Sequence, residues 1–227
     1  VAGESPFCPD YVQACPGLDA DLVASPFVMY DRARQVKAAG AEVLAETRVP
    51  YFNRTWEHFC SHQHTPYRPE RHTGYDAVLQ SGNVVVFSHP VFLSYYNTGQ
   101  PLIKYLFRGA LNRLLPQRNL NVTMPSNGRV SLMRQATAKR TLLHVLYAQT
   151  QLRGSAGQGW RGGQKMEIIE DVVPIFGIPC RVRLPKAPKR VYLGASGQDL
   201  AFRYAGGYAE FTLDRLFVHE LVVLEEA

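Results

Sequence analysis

The chain has 227 residues, 46% of them hydrophobic and 19% charged, which excludes a disordered chain and suffices to bury a core as one large domain or two small ones. No apolar run approaches the ~20 residues of a membrane-spanning helix, so a soluble protein with no membrane partner is expected. The net charge of +6 comes from scattered Arg and Lys without a basic block, so nucleic acid is not an expected partner.

Cys8, Cys15, Cys60 and Cys180 fall at irregular spacings without a CxxC pair, which signals neither a zinc ribbon nor a disulfide framework. A reducing compartment follows. With no signal-peptide pattern at the amino terminus, the expected location is cytoplasmic. A start at Val1 instead of Met reads as a fragment or a processed chain, and Leu221–Ala227 reads as a last strand with a short tail at a natural end.

Pro6, Pro9, Pro16 and Gly17 break residues 1–22 into a looped lead without a long helix. Phe27–Tyr30, Arg34–Ala38 and Ala41–Arg48 are short candidate strands. The last puts Val43, Ala45 and Thr47 on one side and Glu42, Leu44, Glu46 and Arg48 on the other.

Tyr51–Pro66 is the densest run of chemically able side chains in the sequence. It carries Arg54, Trp56, Glu57, Cys60 and three of the seven histidines, His58, His62 and His64. If extended, His58, Cys60, His62 and His64 would point to one side. At roughly 3.3 Å per residue, however, His58 and His64 would stand about 20 Å apart, too far to share an ion with bonds near 2 Å. No metal and no cofactor is expected. A flat apolar face beside charged groups is instead what a polyhydroxylated ligand needs, so Arg54, Trp56, Glu57, His58, His62 and His64 are the candidate substrate-binding residues.

Ala77–Gln80 and Val84–Phe87 flank Ser81-Gly82-Asn83 as a β-hairpin, whose second strand, apolar on both faces, is expected in the interior. Pro101–Leu115 is the clearest helix, with Pro101 in its first turn, Ile103, Phe107, Ala110 and Leu114 on one stripe, and Pro116 as its stop. Beyond Pro116 the texture changes. Short strands are predicted at residues 129–133, 141–147, 180–184, 190–193, 200–204, 208–213 and 217–224, with a Gly206-Gly207 hairpin turn. Seven short strands without a long helix predict a β-sandwich over residues 117–227, separate from a first domain over residues 1–116. The Gly-rich stretch 154–163 interrupts it and carries Trp160.

The usual catalytic constellations are missing. The sequence has no GxSxG elbow, P-loop, GxGxxG or HExxH motif. Cys60 reads as a packed thiol. Glu167 with Glu170 and Glu225 with Glu226 read as solvated pairs, leaving Glu57 as the one carboxylate set among aromatic and basic residues. No catalytic residue is assigned.

The Tyr51–Pro66 loop, the strand ending Val84-Val-Val-Phe-Ser-His-Pro90, the Tyr95-Tyr96 helix lead and Leu106–Pro116 together resemble the carboxyl-terminal portion of bacterial glycoside hydrolase-like proteins similar to the β-galactosidases that carry a trimerisation domain, which implies a β-galactosidase-like or α-fucosidase-like parent. Ile168–Pro174 and the strands after it look like the final β-domain of such proteins. The resemblance implies that residues 1–116 form a trimerisation domain with a flavodoxin-like or class I glutamine amidotransferase-like α/β fold, incomplete at its start and without a nucleophile. It implies a catalytic barrel upstream, since a (β/α)₈ barrel needs ~250 residues of its own. On this reading the chain is a non-catalytic accessory and oligomerisation region. Its partners are its own copies, as a trimer, the upstream barrel and carbohydrate, with the 51–66 loop contributing to a sugar site. Two alternatives remain: a free-standing carbohydrate-binding protein with Trp56 and Trp160 as platforms, and a metal-dependent hydrolase using His58, His62 and His64.

Overall fold

A computed structural model describes residues 1–59, 64–156 and 164–227. The chain divides into two compact units, Val1–Pro116 and Gln117–Ala227. Strands dominate both, and no described helix is long and apolar enough to cross a membrane.

The first unit contains β1 (Gly3–Glu4), β2 (Asp10–Ala14), β3 (Phe27–Met29), β4 (Arg34–Gln35), β5 (Glu42–Pro50), β6 (Tyr67–Ser81), β7 (Val84–Phe87), α1 (Val91–Thr98) and α2 (Pro101–Leu114). Five strands form one sheet in the order β3-β2-β5-β6-β7, and every pairing in it is antiparallel. This corrects the expected flavodoxin- or amidotransferase-like α/β unit. Such a fold needs parallel strands joined by crossover helices, whereas here consecutive strands return on themselves and both helices follow the last strand.

Alternation along β2 puts Asp10, Val12 and Ala14 on one face and Tyr11 and Gln13 on the other. Val12 packs in a cluster with Met29, Ala45, Val78, Ile103 and Leu106, so the helices cover the Val12 side of the sheet. Each Ile or Leu buried there contributes roughly 1.5–3 kcal/mol. Pro101 occupies the first turn of α2, where its missing N–H costs nothing. Gly99 ends α1 in the left-handed region at φ 63, a conformation that favours glycine.

Three expectations for this unit change. Residues 1–22, read as a loop, contain β2, a strand paired on both sides. The second hairpin strand is not interior: β7 is the sheet edge, with Val84 at 60% and Val86 at 43% exposure. The strict alternation read over Ala41–Arg48 breaks where the β5/β6 register shifts, so Leu44 and Ala45 are both buried.

The second unit contains β8 (Leu120–Val122), β9 (Arg129–Gln135), β10 (Arg140–Tyr147), β11 (Gln151–Ala156), β12 (Gln164–Ile168), β13 (Ile175–Arg183), β14 (Arg190–Leu193), β15 (Phe202–Ala205), β16 (Tyr208–Leu216) and β17 (Val218–Glu225). Two four-stranded sheets, β14-β17-β10-β9 and β15-β16-β13-β8, share one core. Alternation explains it: β13 buries Ile178, Cys180 and Val182 and exposes Arg181, while β10 offers Leu143 and Val145 and β17 offers Val222 and Leu224. This is the predicted sandwich. A further hairpin, β11 with β12, occupies part of the Gly-rich stretch, and Trp160 lies outside the described residues.

The carboxylates read as solvated pairs are not all free. Glu226 pairs with Arg134 at 2.7 Å and Glu170 with Arg153 at 2.8 Å.

Candidate functional site

The loop leaving β5 is held at both ends. At its start the Asn53 Nδ2 donates to the Pro6 carbonyl at 2.7 Å, and the Cys8 N–H donates to Asn53 Oδ1 at 3.4 Å. The Tyr51 N–H donates to the Pro66 carbonyl at 3.0 Å, closing the neck. At its end the Tyr11 hydroxyl donates to the Thr65 carbonyl at 2.6 Å. His64 sits edge-on to Tyr11 at 6.1 Å and to Tyr30 at 5.7 Å, with its Nδ1 3.3 Å from the Tyr30 hydroxyl.

Between these anchors the chain turns tightly. The Thr55 N–H donates to the His58 carbonyl at 2.8 Å, and the His58 N–H donates to Thr55 Oγ1 at 3.1 Å. This turn pushes Trp56 outward to 87% exposure and Phe59 to 68%. Arg54, Glu57 and His58 are exposed beside them, and the His58 ring lies 6.0 Å from that of Phe52. The Arg68 guanidinium lies over the Tyr51 ring at 5.4 Å.

The structure therefore brings Arg54, Trp56, Glu57 and His58 together on one exposed turn and sets His64 apart, in the anchor. His62 and Cys60, named from the sequence, lie outside the described residues. His58 and His64 have different ring partners, and among the described residues no three of His, Cys, Asp and Glu gather as a metal would require. Chemically, the turn offers an indole face, a carboxylate, a guanidinium and an imidazole to solvent, the complement of a sugar ring and its hydroxyls.

Sequence reasoning missed a buried polar set in the same unit. Asp10, 1% exposed, accepts from His89 Nε2 at 2.6 Å, and His89 Nδ1 lies 3.1 Å from the Ser88 hydroxyl. The signal was available: Asp10 falls on the apolar face of β2, two positions before Val12, where an acid needs a partner. The partner is 79 residues away and follows β7, so no local pattern names it.

A scan against models of protein families finds no match, and a search of curated proteins finds none either. Among solved structures the chain is similar to alpha-L-fucosidase isoenzyme 2 from Paenibacillus thiaminolyticus, with a TM-score of 0.89 and 34% identity over 100% of this chain. The likeness covers 33% of the fucosidase chain, so this chain spans about a third of its length. The chain is thus related to a glycoside hydrolase over its full extent.

Proposed function

We propose that this chain acts as a non-catalytic accessory region of a glycoside hydrolase, with the turn at Arg54–His58 contributing to a sugar site that other parts of the assembly complete. The observation that carries the reading is Trp56: an indole 87% exposed, on a turn tied down at both ends, that belongs to neither hydrophobic core among the described residues. Kinship with a fucosidase makes a fucoside or galactoside the first ligand class to try. Self-association, with a trimer as the specific expectation, is part of the same proposal. It is supported by the exposed edge strand β7 and by Phe92, Leu93 and Tyr96 on α1, at 67%, 51% and 87% exposure.

The test uses the chain alone. It should turn over neither nitrophenyl fucoside nor nitrophenyl galactoside, because canonical glycosidases need two acids about 5 to 9.5 Å apart across the bond and the turn supplies only Glu57. Oligosaccharide titration followed by tryptophan fluorescence should respond in the wild type and not in Trp56→Ala. Turnover abolished by Glu57→Gln would overturn the non-catalytic reading, and an equal response in Trp56→Ala would remove the turn from the site. Light scattering that reports only monomer would remove the assembly role.

The second reading, a free-standing carbohydrate-binding protein, draws on the same exposed indole. It gains if the isolated monomer binds sugar with full affinity.

A further inference from the structure

We propose that the first unit holds a second sugar site, separate from the Trp56 turn: a pocket for one monosaccharide, built around the Asp10 carboxylate. A cavity of about 180 Å³ lies between the sheet and the segments that carry Ser5 to Phe7 and Ala33 to Gln35. At about 30 Å³ per water it has room for roughly six waters. That is well below the ~300 Å³ at which pockets for drug-sized ligands begin, and it suits a single ring better than a chain of sugars.

The lining is what distinguishes it from a packing defect. Asp10 is 1% exposed yet lines the cavity. One of its oxygens, Oδ1, is fixed by His89, so the carboxylate is held in one orientation before any ligand arrives. The other, Oδ2, has Ser5 Oγ at 3.3 Å, long for an O–H···O bond, whose usual range is about 2.5–3.0 Å. A carboxylate oxygen has two lone-pair sites, so Oδ2 retains capacity to accept from a ligand hydroxyl.

The Thr73 hydroxyl also lines the cavity; it accepts from the Tyr75 N–H at 2.9 Å and lies against the Thr47 hydroxyl, which leaves it one lone pair for a ligand. Arg71 is exposed and lines the cavity, with no ion pair among the described residues. Phe7 adds an apolar surface. An acceptor, a hydroxyl, a guanidinium and an aromatic side chain around a ring-sized space match the alternating hydroxyls and C–H faces of a pyranose. Other classes fit worse. A purely apolar ligand would leave Asp10 Oδ2 with only the long contact from Ser5, an anion would meet the Asp10 charge, and a cation would meet Arg34 and Arg71.

The proposal stands on this lining and not on the turn, and one titration separates the two. L-fucose and D-galactose are titrated separately into isotopically labelled full chain, and amide shifts are followed by NMR. One of them should shift Ser5, Phe7, Thr73 and Tyr75. Arg71→Ala, an exposed change that should leave the fold intact, should weaken the binding read at these four amides about tenfold. Asp10→Asn should abolish it, with the melting curve confirming that the variant is folded; Thr73→Val gives a second pocket variant if it is not. Shifts confined to residues 54–58, or affinity unchanged in both Arg71→Ala and Thr73→Val, overturn the pocket while leaving the proposed role of the turn standing. No shifts with either sugar overturn the pocket as well.

Discussion

Asn53 holds Pro6 across 47 positions of sequence: its Nδ2 donates to the Pro6 carbonyl at 2.7 Å, and its Oδ1 receives the Cys8 N–H at 3.4 Å. The side chain that fixes the start of the exposed turn thus also pins the segment walling the Asp10 cavity. Asn53→Ala should remove both bonds at once. Each is exposed, so the stability cost should be near the low end of about 0.5–1.5 kcal/mol per hydrogen bond. The larger effect should be dynamic, with faster amide exchange at Phe7, Cys8 and Arg54 to His58 than in wild type. Unchanged exchange in both segments would show that the bonds of Tyr51 and Tyr11 hold the loop without Asn53.

His89→Ala should be far more costly than any change on the turn. It removes the partner of a carboxylate that is 1% exposed and leaves it uncompensated. Breaking a buried pair from one side costs about 3–5 kcal/mol, whereas an exposed change such as Trp56→Ala should stay within roughly 0.5 kcal/mol of wild type. Urea denaturation measures both. The double variant with Asp10→Asn should lose less than the sum of the two single changes, since each single change leaves the other group stranded. Strict additivity would show that the two side chains do not depend on one another.

How far the sequence could be read depended on the range of each signal. The helix at Pro101–Leu114 and the turns at Gly82 and Gly206-Gly207 were legible because proline placement, side-chain period and turn residues act within a few positions. The strand Asp10–Ala14 was hidden by its prolines: Pro9 and Pro16 mark a loop locally, and only pairing with β3 and β5 makes the residues between them a strand. The first half of β6, rich in Arg, Glu and His, is polar enough to read as loop and is set by its partner β5. Strand direction has no local signature, which is why a parallel α/β unit was expected where the sheet is antiparallel. The turn at Arg54–His58 was found from residue types alone. That His64 serves as an anchor was not, because its partner Tyr30 is 34 residues away.

Cys180 supplies a prediction in the alkaline range. Burial in the sandwich pushes its thiol up from 9.0 to about 12. The fold therefore favours the neutral thiol. Below pH 9 both folded and unfolded chains carry it protonated and the group has no pH-dependent effect. As pH rises from about 9 towards 12 the unfolded thiol ionises first, so stability is lost across that window. In site-resolved alkylation at pH 8, Cys180 should stay unmodified in the native protein and react once urea unfolds it, because the thiolate is the reactive form. Cys180→Ala should flatten the alkaline part of the stability profile relative to wild type. Rapid native labelling would place Cys180 outside the core.

Gly109 tests the packing of α2 against the loop before β3. In a helix interior, glycine to alanine usually stabilises by about 0.8–1 kcal/mol through helix propensity. Here the added Cβ would lie 2.7 Å from the Leu18 carbonyl oxygen and 2.9 Å from Leu18 Cγ. The first is backbone and cannot swing aside as a side-chain tip could. It belongs to a segment that is itself constrained, because the Arg108 guanidinium donates from Nε to Asp19 Oδ2 at 2.7 Å and from the same side chain to Asp21 at 2.6 Å. Gly109→Ala must therefore push helix and loop apart against these ion pairs, and overpacking of this kind costs roughly 1–3 kcal/mol. The net sign should be destabilising, opposite to the propensity rule. If Gly109→Ala melted higher than wild type, residues 17–22 would have to yield readily, and the close approach of α2 to Leu18 would not be a constraint on the fold.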